Sequence, residues 1–428
     1  MRALVTSAAA VLLLLPEGPL SADTGAEAET QGAAPERAIV LTGQLRERAT
    51  YQSALEYDAE AETAGWFWTQ RAQIAADARI TGNLRARVSV VSALIEGGEE
   101  DSPIERNVLD LQEAFVEIGP EDAFVRLGRQ EIRLGSQRLL AVRDGTTVRR
   151  NWDGARVKAR LGAVDLDAFA LRLVATDPNG VFNDGRNEGR DIAGVQATFP
   201  APLGRVDAYY IFSEVADRRT IEGVGDERRH SLGLRAFGSR GGWFWDWEAV
   251  YQTGRFGRGD ISAWTLATNT GYRWEDRPWK PEIMLSANIA SGDGDPGDGV
   301  LGTFSALYPN ASYFSENAVL GPANFFNLHP YLRLRPRENL FLALDLNLYW
   351  RLEREDGVYA PPGNLFRQPQ GARQRFVDTS LSGVIEWEPR ENLLLGIVFT
   401  HSAPQDFIRA TGPADPIDFV EATLQFDF

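Results

Sequence analysis

The last eleven residues, Asp418 to Phe428 (DFVEATLQFDF), constrain the fold more than any other stretch of the chain. Val420, Ala422, Leu424, Phe426 and Phe428 take every second position, and Glu421, Thr423, Gln425 and Asp427 fill those between. A period of two marks a strand with one apolar and one wet face. Two settings accept such a strand: the edge of a soluble β-sandwich, or a sheet with lipid on one side and water on the other.

The 428 residues allow two or three soluble domains or one large barrel. Mean hydropathy is slightly negative, and no apolar run reaches the roughly 20 residues of a spanning helix. A helical membrane protein is therefore excluded. The opening residues, MRALVTSAAAVLLLLPEGPLSA, set Arg2 before an apolar stretch from Ala3 to Leu15. Residues 1–22 read as a secretory signal peptide, too short to span. Cleavage is expected after Ala22, despite the bulky Leu20 at −3; Ala26–Ala28 is a second candidate. Residues 23–38 are mostly small and acidic and read as a flexible mature N-terminus. The chain has no cysteine, so neither a disulfide framework nor thiolate chemistry is available. A closed barrel needs neither, because closure leaves no backbone polar group unpaired in lipid. The formal charge of −16 argues against nucleic acid as a partner. Lys158 and Lys280 are the only lysines. Almost all positive charge is thus arginine, which either genome base composition or a need for fixed guanidinium forks would explain.

From Ile39 onward there is no helical period, but about 18 alternating segments of roughly 10 to 16 residues. One is expected over 123–135, another over 339–354 and the last over 417–428. The connections alternate in length. Gly119–Asp122, Gly162–Ala163, Ala201–Leu203, Arg240–Gly241, Arg337–Glu338 and Pro389–Arg390 are short. Segments 96–106, 136–150, 177–189, 216–227, 293–323, 355–374 and 404–416 are long. A soluble sandwich has no reason to alternate this way. The pattern predicts an all-β fold class: one transmembrane antiparallel β-barrel over 39–428, with short periplasmic turns and long extracellular loops, in a bacterial outer membrane. Trp243, Trp245 and Trp247 share one face, as an interface belt requires, with Asp246 and Glu248 on the other. Leu340, Leu342, Leu344, Leu346, Leu348 and Trp350 form a second apolar face. A terminal Phe with another Phe two residues before it is similar to the C-terminal signal that outer-membrane barrels show to their insertion machinery. The expected partners are that machinery, outer-membrane lipid and lipopolysaccharide.

Alternation also assigns faces to the arginines. Arg46 and Arg48 lie opposite Leu41 and Leu45; Arg85 and Arg87 lie opposite Leu84, Val88 and Val90. Arg156, Lys158 and Arg160 oppose Val157 and Leu161, and Arg333 and Arg335 oppose Leu332 and Leu334. Arg71, Arg235 and Arg351 complete the set. Each pair alone suits an ordinary solvated strand face. Repeated over five or more strands, they predict an aqueous lumen lined by arginine, which selects anions. Carboxylates are few on these faces: Glu113, Glu117, Asp246, Glu248 and Asp345, placed to hold the arginines or to keep an anion from being trapped.

The segment Arg126–Arg156, RLGRQEIRLGSQRLLAVRDGTTVRRNWDGAR, holds eight arginines. A strand leads into a Gly-bounded loop long enough to fold inward over a pore; the alternative is an exposed basic loop on lipopolysaccharide phosphates. Within it, GRQEIRLGSQRL followed by VRDG and VRRNWDGARV resembles the signature of the alginate-export outer-membrane barrels. Ser291–Pro309, SGDGDPGDGVLGTFSALYP, is similar to that family's later loop pattern. The resemblance implies a monomeric barrel of about 18 strands whose arginine-rich constriction conducts an acidic polysaccharide. The positions it carries onto this chain are Arg129, Gln130, Glu131, Arg138, Arg143, Asp144, Arg149, Arg150, Asp153 and Arg156. A general anion-preferring porin for small acidic solutes shares every feature except polymer specificity.

No cofactor is called for. Asp293, Asp295 and Asp298 among glycines in the 292–299 loop offer oxygen ligands for a structural Ca²⁺, although the EF-hand pattern is lacking; the alternative is a flexible acidic loop. The three histidines, His230, His329 and His401, fall in no G-x-S-x-G or H-E-x-x-H pattern, so an enzyme is not expected.

Overall fold

The computed structural model describes residues 38–428 apart from 311 and 313. The expected signal peptide and almost all of the flexible segment that follows it lie outside the described residues. Eighteen antiparallel strands close into one barrel. They are β1 (Ala38–Gln52), β2 (Gly65–Thr81), β3 (Leu84–Glu96), β4 (Asn107–Ile118), β5 (Ala123–Gln130) and β6 (Trp152–Leu161). Then come β7 (Val164–Ala175), β8 (Gly185–Ala201), β9 (Gly204–Thr220), β10 (Gly223–Arg240), β11 (Trp243–Phe256) and β12 (Gly259–Arg273). The last third is β13 (Glu282–Ala290), β14 (Phe325–Arg337), β15 (Leu340–Arg351), β16 (Phe376–Arg390), β17 (Leu393–Pro404) and β18 (Ile417–Asp427). Each strand pairs with its sequence neighbours, and β18 returns to β1 in the register Gln44↔Asp427 to Gln52↔Phe419. Phe428 extends the seam through two backbone bonds with Gly43, at 2.7 and 2.9 Å. A Cβ on Gly43 would stand 2.1 Å from the Phe428 ring, so any side chain there would push that ring aside.

The alternation read from the sequence sorts as lipid against interior. On β18, Ala422, Leu424 and Phe426 are exposed while Glu421, Thr423 and Gln425 are buried. On β11, Trp243 and Trp247 face out, and Asp246 and Glu248 point in. Leu344 of β15 is half exposed, and its neighbour Asp345 is buried. A side chain that meets acyl tails on one face and polar partners on the other imposes this period of two.

Two expectations fail for physical reasons. The long loop over 216–227 does not exist: β9 runs to Thr220, β10 begins at Gly223, and only Ile221 and Glu222 turn the chain. The hairpin climbs out of the bilayer, where both faces are wet and strands lose their apolar period. The strand expected over 123–135 ends at Gln130. Ile132 and Leu134 keep the alternation, but their apolar surroundings are inside the barrel rather than in lipid. Smaller elements sit among the long-loop ends: a hairpin of Val358–Ala360 with Asn364–Arg367, and a one-turn helix, Asp406–Thr411.

The face assignment has a measurable consequence. Leu344→Arg puts a charge near the middle of the lipid band and is expected to cost about 2–4 kcal/mol, whereas Trp243→Arg, at the rim, should cost roughly 0–1 kcal/mol. Reversible urea unfolding of the barrel in lipid vesicles checks both.

Candidate functional site: an arginine-clamped loop across the barrel

The loop from Glu131 to Asn151, between β5 and β6, folds into the barrel. Its apolar residues explain why. Ile132, Leu134, Leu139 and Leu140 are buried against Phe169, Leu171, Ile192, Ile211 and Val250, which project inward from β7, β8, β9 and β11. A second loop, 291–324, brings Phe304, Leu307, Tyr308 and Phe314 into the same core. The two loops are stitched by backbone bonds: Ala141 N–H to Tyr308 O and Tyr308 N–H to Leu139 O, each 2.9 Å. Arg150 donates to the carbonyls of Ala141 (3.0 Å) and Tyr308 (2.7 Å) and lies over the Tyr308 ring. Apolar packing thus fills the side of the interior lined by β7–β9 and β11–β12.

The 131–151 loop is clamped at two walls. Arg138 reaches Asp246 (3.1 Å) and Glu248 (2.7 Å) of β11, where Arg235 of β10 also bridges Asp246 (2.6 Å) and Asp207 (3.0 Å). Ser136 and Tyr209 donate to Glu248 as well. On the other wall, Arg46 and Arg48 of β1 donate to the carbonyls of Asp144, Gly145 and Thr146, and Arg71 of β2 meets the Asp144 carboxylate at 2.9 Å. Arg149, from the loop itself, pairs with the same carboxylate. The clamps stand eight strands apart around an eighteen-strand barrel, from β2 to β10 in one direction and from β1 to β11 in the other, so the loop spans the interior. Burial acts to raise the Asp144 carboxyl, but Arg149, Arg71 and Arg46 outweigh it and hold it well below the usual carboxylate range. Burial also lowers the guanidinium of Arg150 to about 9 and that of Arg143 to about 10. Arg143 is held within its own turn, on Thr146 Oγ1 (3.1 Å) and the Val148 carbonyl (3.2 Å).

The remaining expected residues fall into separate groups. Arg85 meets Glu117 at 2.8 Å and also Asp77, and Arg87 meets Glu113 at 2.7 Å. Arg129 pairs with Asp153 (3.0 Å), Arg156 with Asp167 (2.5 Å), Arg160 with Asp165 (2.7 Å) and Arg333 with Glu282 (2.9 Å). Glu131 accepts from Gln112 at 3.0 Å. Arg335 is exposed and stacks on Phe341. Arg351 is buried at the loop end of β15 among backbone carbonyls, those of Gln374 and Arg354 at 2.7 Å, away from the clamp.

Carboxylates were expected to be scarce on the arginine faces, and this is corrected. Glu113, Glu117, Asp246 and Glu248 do hold arginines, but so do Asp77, Asp110, Asp167, Asp207, Glu282 and Glu421. Asp345 instead takes His329 at 2.6 Å, and His329 in turn meets the Tyr331 hydroxyl. Arg229, fully buried on Glu227, escaped the sequence reading. Register was the missing signal: Asp77 lies directly across from Arg87, and Asp153 across from Arg129.

The Ca²⁺ reading is also corrected. Among the described residues no group of three acidic or histidine side chains could hold a metal ion. Asp293 turns inward beside Asp356, which accepts its backbone N–H, while Asp298 accepts the N–H of Val300 in its own turn. Here the aspartates accept backbone N–H groups of their own turns, Asp293 from Asp295 and Asp298 from Val300, and do not converge.

The sequence profile described as alginate export matches residues 38–418. The chain belongs to the alginate export family. A search of curated protein sequences returns no match. Among solved structures, this family member is similar to OccK2 (OpdF) of Pseudomonas aeruginosa at 12% identity and a TM-score of 0.61, over 91% of this chain and 97% of that one. The same protein in complex with glucuronate aligns at 11% identity and a TM-score of 0.59, over 91% and 96%. A BenF-like porin from Pseudomonas fluorescens Pf-5 gives 11% and 0.61, over 91% and 98%. At such identities the likeness concerns the fold, that of an outer-membrane porin. Family and fold together make this alginate export barrel an outer-membrane channel.

Two outcomes follow, one from the β11 clamp and one from the buried acid of the 291–324 loop. Arg138→Gln removes the cationic partner of Glu248 and weakens the β11 anchor, so limited proteolysis should cut within 131–151 faster than in the native protein, with the barrel intact. Burial, with Asp356 and Glu222 nearby, raises the Asp293 carboxyl to about 6. A raised acid is favoured in its neutral form, so its site loses stability as pH rises from about 4 to 6 and stays weakened above. Asp293→Asn should therefore unfold later than the native protein at pH 8 and no later at pH 4, as melting curves at the two pH values will read.

Proposed function

We propose that this channel passes an anionic polysaccharide of the alginate type, handed along arginines of the lumen. The observation that carries the reading is a set of three guanidiniums, Arg46, Arg71 and Arg149, gathered about the carboxylate of Asp144, with Arg48 beside them on the Gly145 carbonyl. Glu421, 3.3 Å from Arg48, is the only other carboxylate paired with them among the described residues. Glu131 and Glu113 near Arg149, and Glu316 near Arg48, stand further off, so the four guanidiniums form a mixed-charge cluster where the loop crosses the interior. Toward the turn end of the barrel, Arg85, Arg87, Arg126 and Arg156 continue the row, each already on a carboxylate.

Pairing of this kind suits conduction. A bare row of guanidiniums in a partly dry lumen would bind a polyanion and keep it. An arginine that already shares a carboxylate exchanges one partner for another, so each uronate group meets a modest, replaceable contact. Arg presents a planar fork to each carboxylate in turn, which lysine's point charge would not. The protein acts as a monomer in this reading, with its C-terminal strand addressed by the insertion machinery.

A second reading has its own support, since one of the similar porins was solved with glucuronate, a single uronate. On that reading the channel admits small acidic solutes and no polymer. Single-channel recording in planar bilayers separates the two. Anion selectivity with block by oligo-uronates, growing with chain length and lost in Arg71→Glu, is the expected outcome. Anion selectivity without length-dependent block would leave the general porin. Cation preference would refute the arginine pathway itself.

A further inference from the structure

The segment Asp144–Gly145–Thr146 sits in its arginine cradle as a ligand sits in a site. Arg46 donates Nη1 to the Asp144 carbonyl (2.9 Å) and Nη2 to the Thr146 carbonyl (2.8 Å). Arg48 donates Nη1 to the Gly145 carbonyl (2.5 Å). Arg71, turned by Gln44, holds the Asp144 carboxylate. One carboxylate flanked by neutral oxygens is also what one residue of a glycuronate offers. We propose that residues 144–146 are an internal pseudo-ligand: they occupy a glycuronate-binding site made by Arg46, Arg48 and Arg71, and an incoming uronate displaces them.

Three observations favour a displaceable occupant over a purely structural contact. First, the three carbonyls are satisfied by arginine side chains, and residues 144–146 make none of the loop's backbone–backbone bonds. The neighbouring positions do: Arg150 N–H reaches Val142 and Val148 N–H reaches Ile104. The segment's ties to its own loop are side-chain ones, Thr146 Oγ1 to the carbonyls of Arg143 and Val148 and Asp144 to Arg149, and these have to exchange as it leaves. Second, the cradle is not saturated. Arg48 Nε and Arg71 Nη1 are buried and have no hydrogen-bond partner among the described residues. A buried guanidinium N–H without an acceptor is costly, and a ligand with more oxygens than the loop supplies would relieve it. Third, the three arginines are at most 5% exposed, and residues 144–146 are among the groups that cover them. Charge this buried is held only while an anion or carbonyl stays with it, so displacement is an exchange of partners rather than an opening to nothing. Thr147, fixed by Glu105 at 3.0 Å, and Arg150, fixed on Tyr308, bound the part that moves.

The inference rests on the uronate reading above and is tested apart from it. The chain has no cysteine, so Thr146→Cys creates a unique thiol at a buried position. Its modification by a cationic thiosulfonate, which cannot compete for the arginines, is timed in lipid vesicles with sodium galacturonate, galactose or sodium chloride. Galacturonate alone should speed labelling at least tenfold. In parallel, hydrogen exchange of the unsubstituted protein should rise over 144–146 with galacturonate and stay flat over 138–141. Labelling and exchange that ignore galacturonate, while galacturonate still blocks or carries current, overturn the pseudo-ligand and leave the uronate channel standing. Galacturonate that neither blocks, permeates nor alters exchange removes both.

Discussion

A guanidinium removed from water has to be given an acceptor, and the interior of this barrel is organised by that requirement. Arg71, Arg229 and Arg351 are almost wholly buried, and Arg46 and Arg48 nearly so. Each is met by a carboxylate, a carbonyl or both. The clamped loop follows from the same need: its ends are placed where arginines and carboxylates can complete one another across the lumen. Removing one member strands the other, so such networks resist piecemeal change more than their net contribution to stability suggests.

The interior has two characters. Toward β7–β9 and β11–β12 it is packed like a soluble core, with Phe304, Leu307 and Tyr308 set among inward-facing Phe169, Leu171 and Ile211. Toward β1–β4 it is polar and charged, with Arg46, Arg71, Gln73, Ser89 and Glu113 on the inner faces. The inward loops therefore narrow the lumen and also choose its electrostatic lining.

Much of this was legible in the sequence wherever the bilayer writes its own period. Leu344 beside Asp345, and Leu424 beside Gln425, declare their faces because acyl chains leave no alternative. Above the bilayer that pressure stops, which is why the β9–β10 hairpin read as a loop. Ile132 and Leu134 show the opposite confusion, since an apolar alternation cannot tell lipid from an internal core. Arginines were visible one by one, but their partners were not. Asp77 with Arg87 and Asp153 with Arg129 exist only once neighbouring strands are in register. Asp144 came from the family resemblance, and nothing in its local sequence says that three distant arginines converge on it. Asp293, Asp295 and Asp298 misled for a related reason, since close spacing in a turn is not convergence in space.

The seam between β1 and β18 joins residues near the two ends of the described chain, Gln44 with Asp427 and Gly43 with Phe428. No other strand pairing in the barrel spans so much sequence. Until the final residues emerge, a nascent chain carries two open edges of hydrogen-bonding groups, the feature most prone to pair with another molecule. Loop-closure entropy also makes the longest contact the last to be repaid. A premature stop, even one that removes only the terminal strand, would thus leave an unsealed sheet rather than a slightly smaller pore.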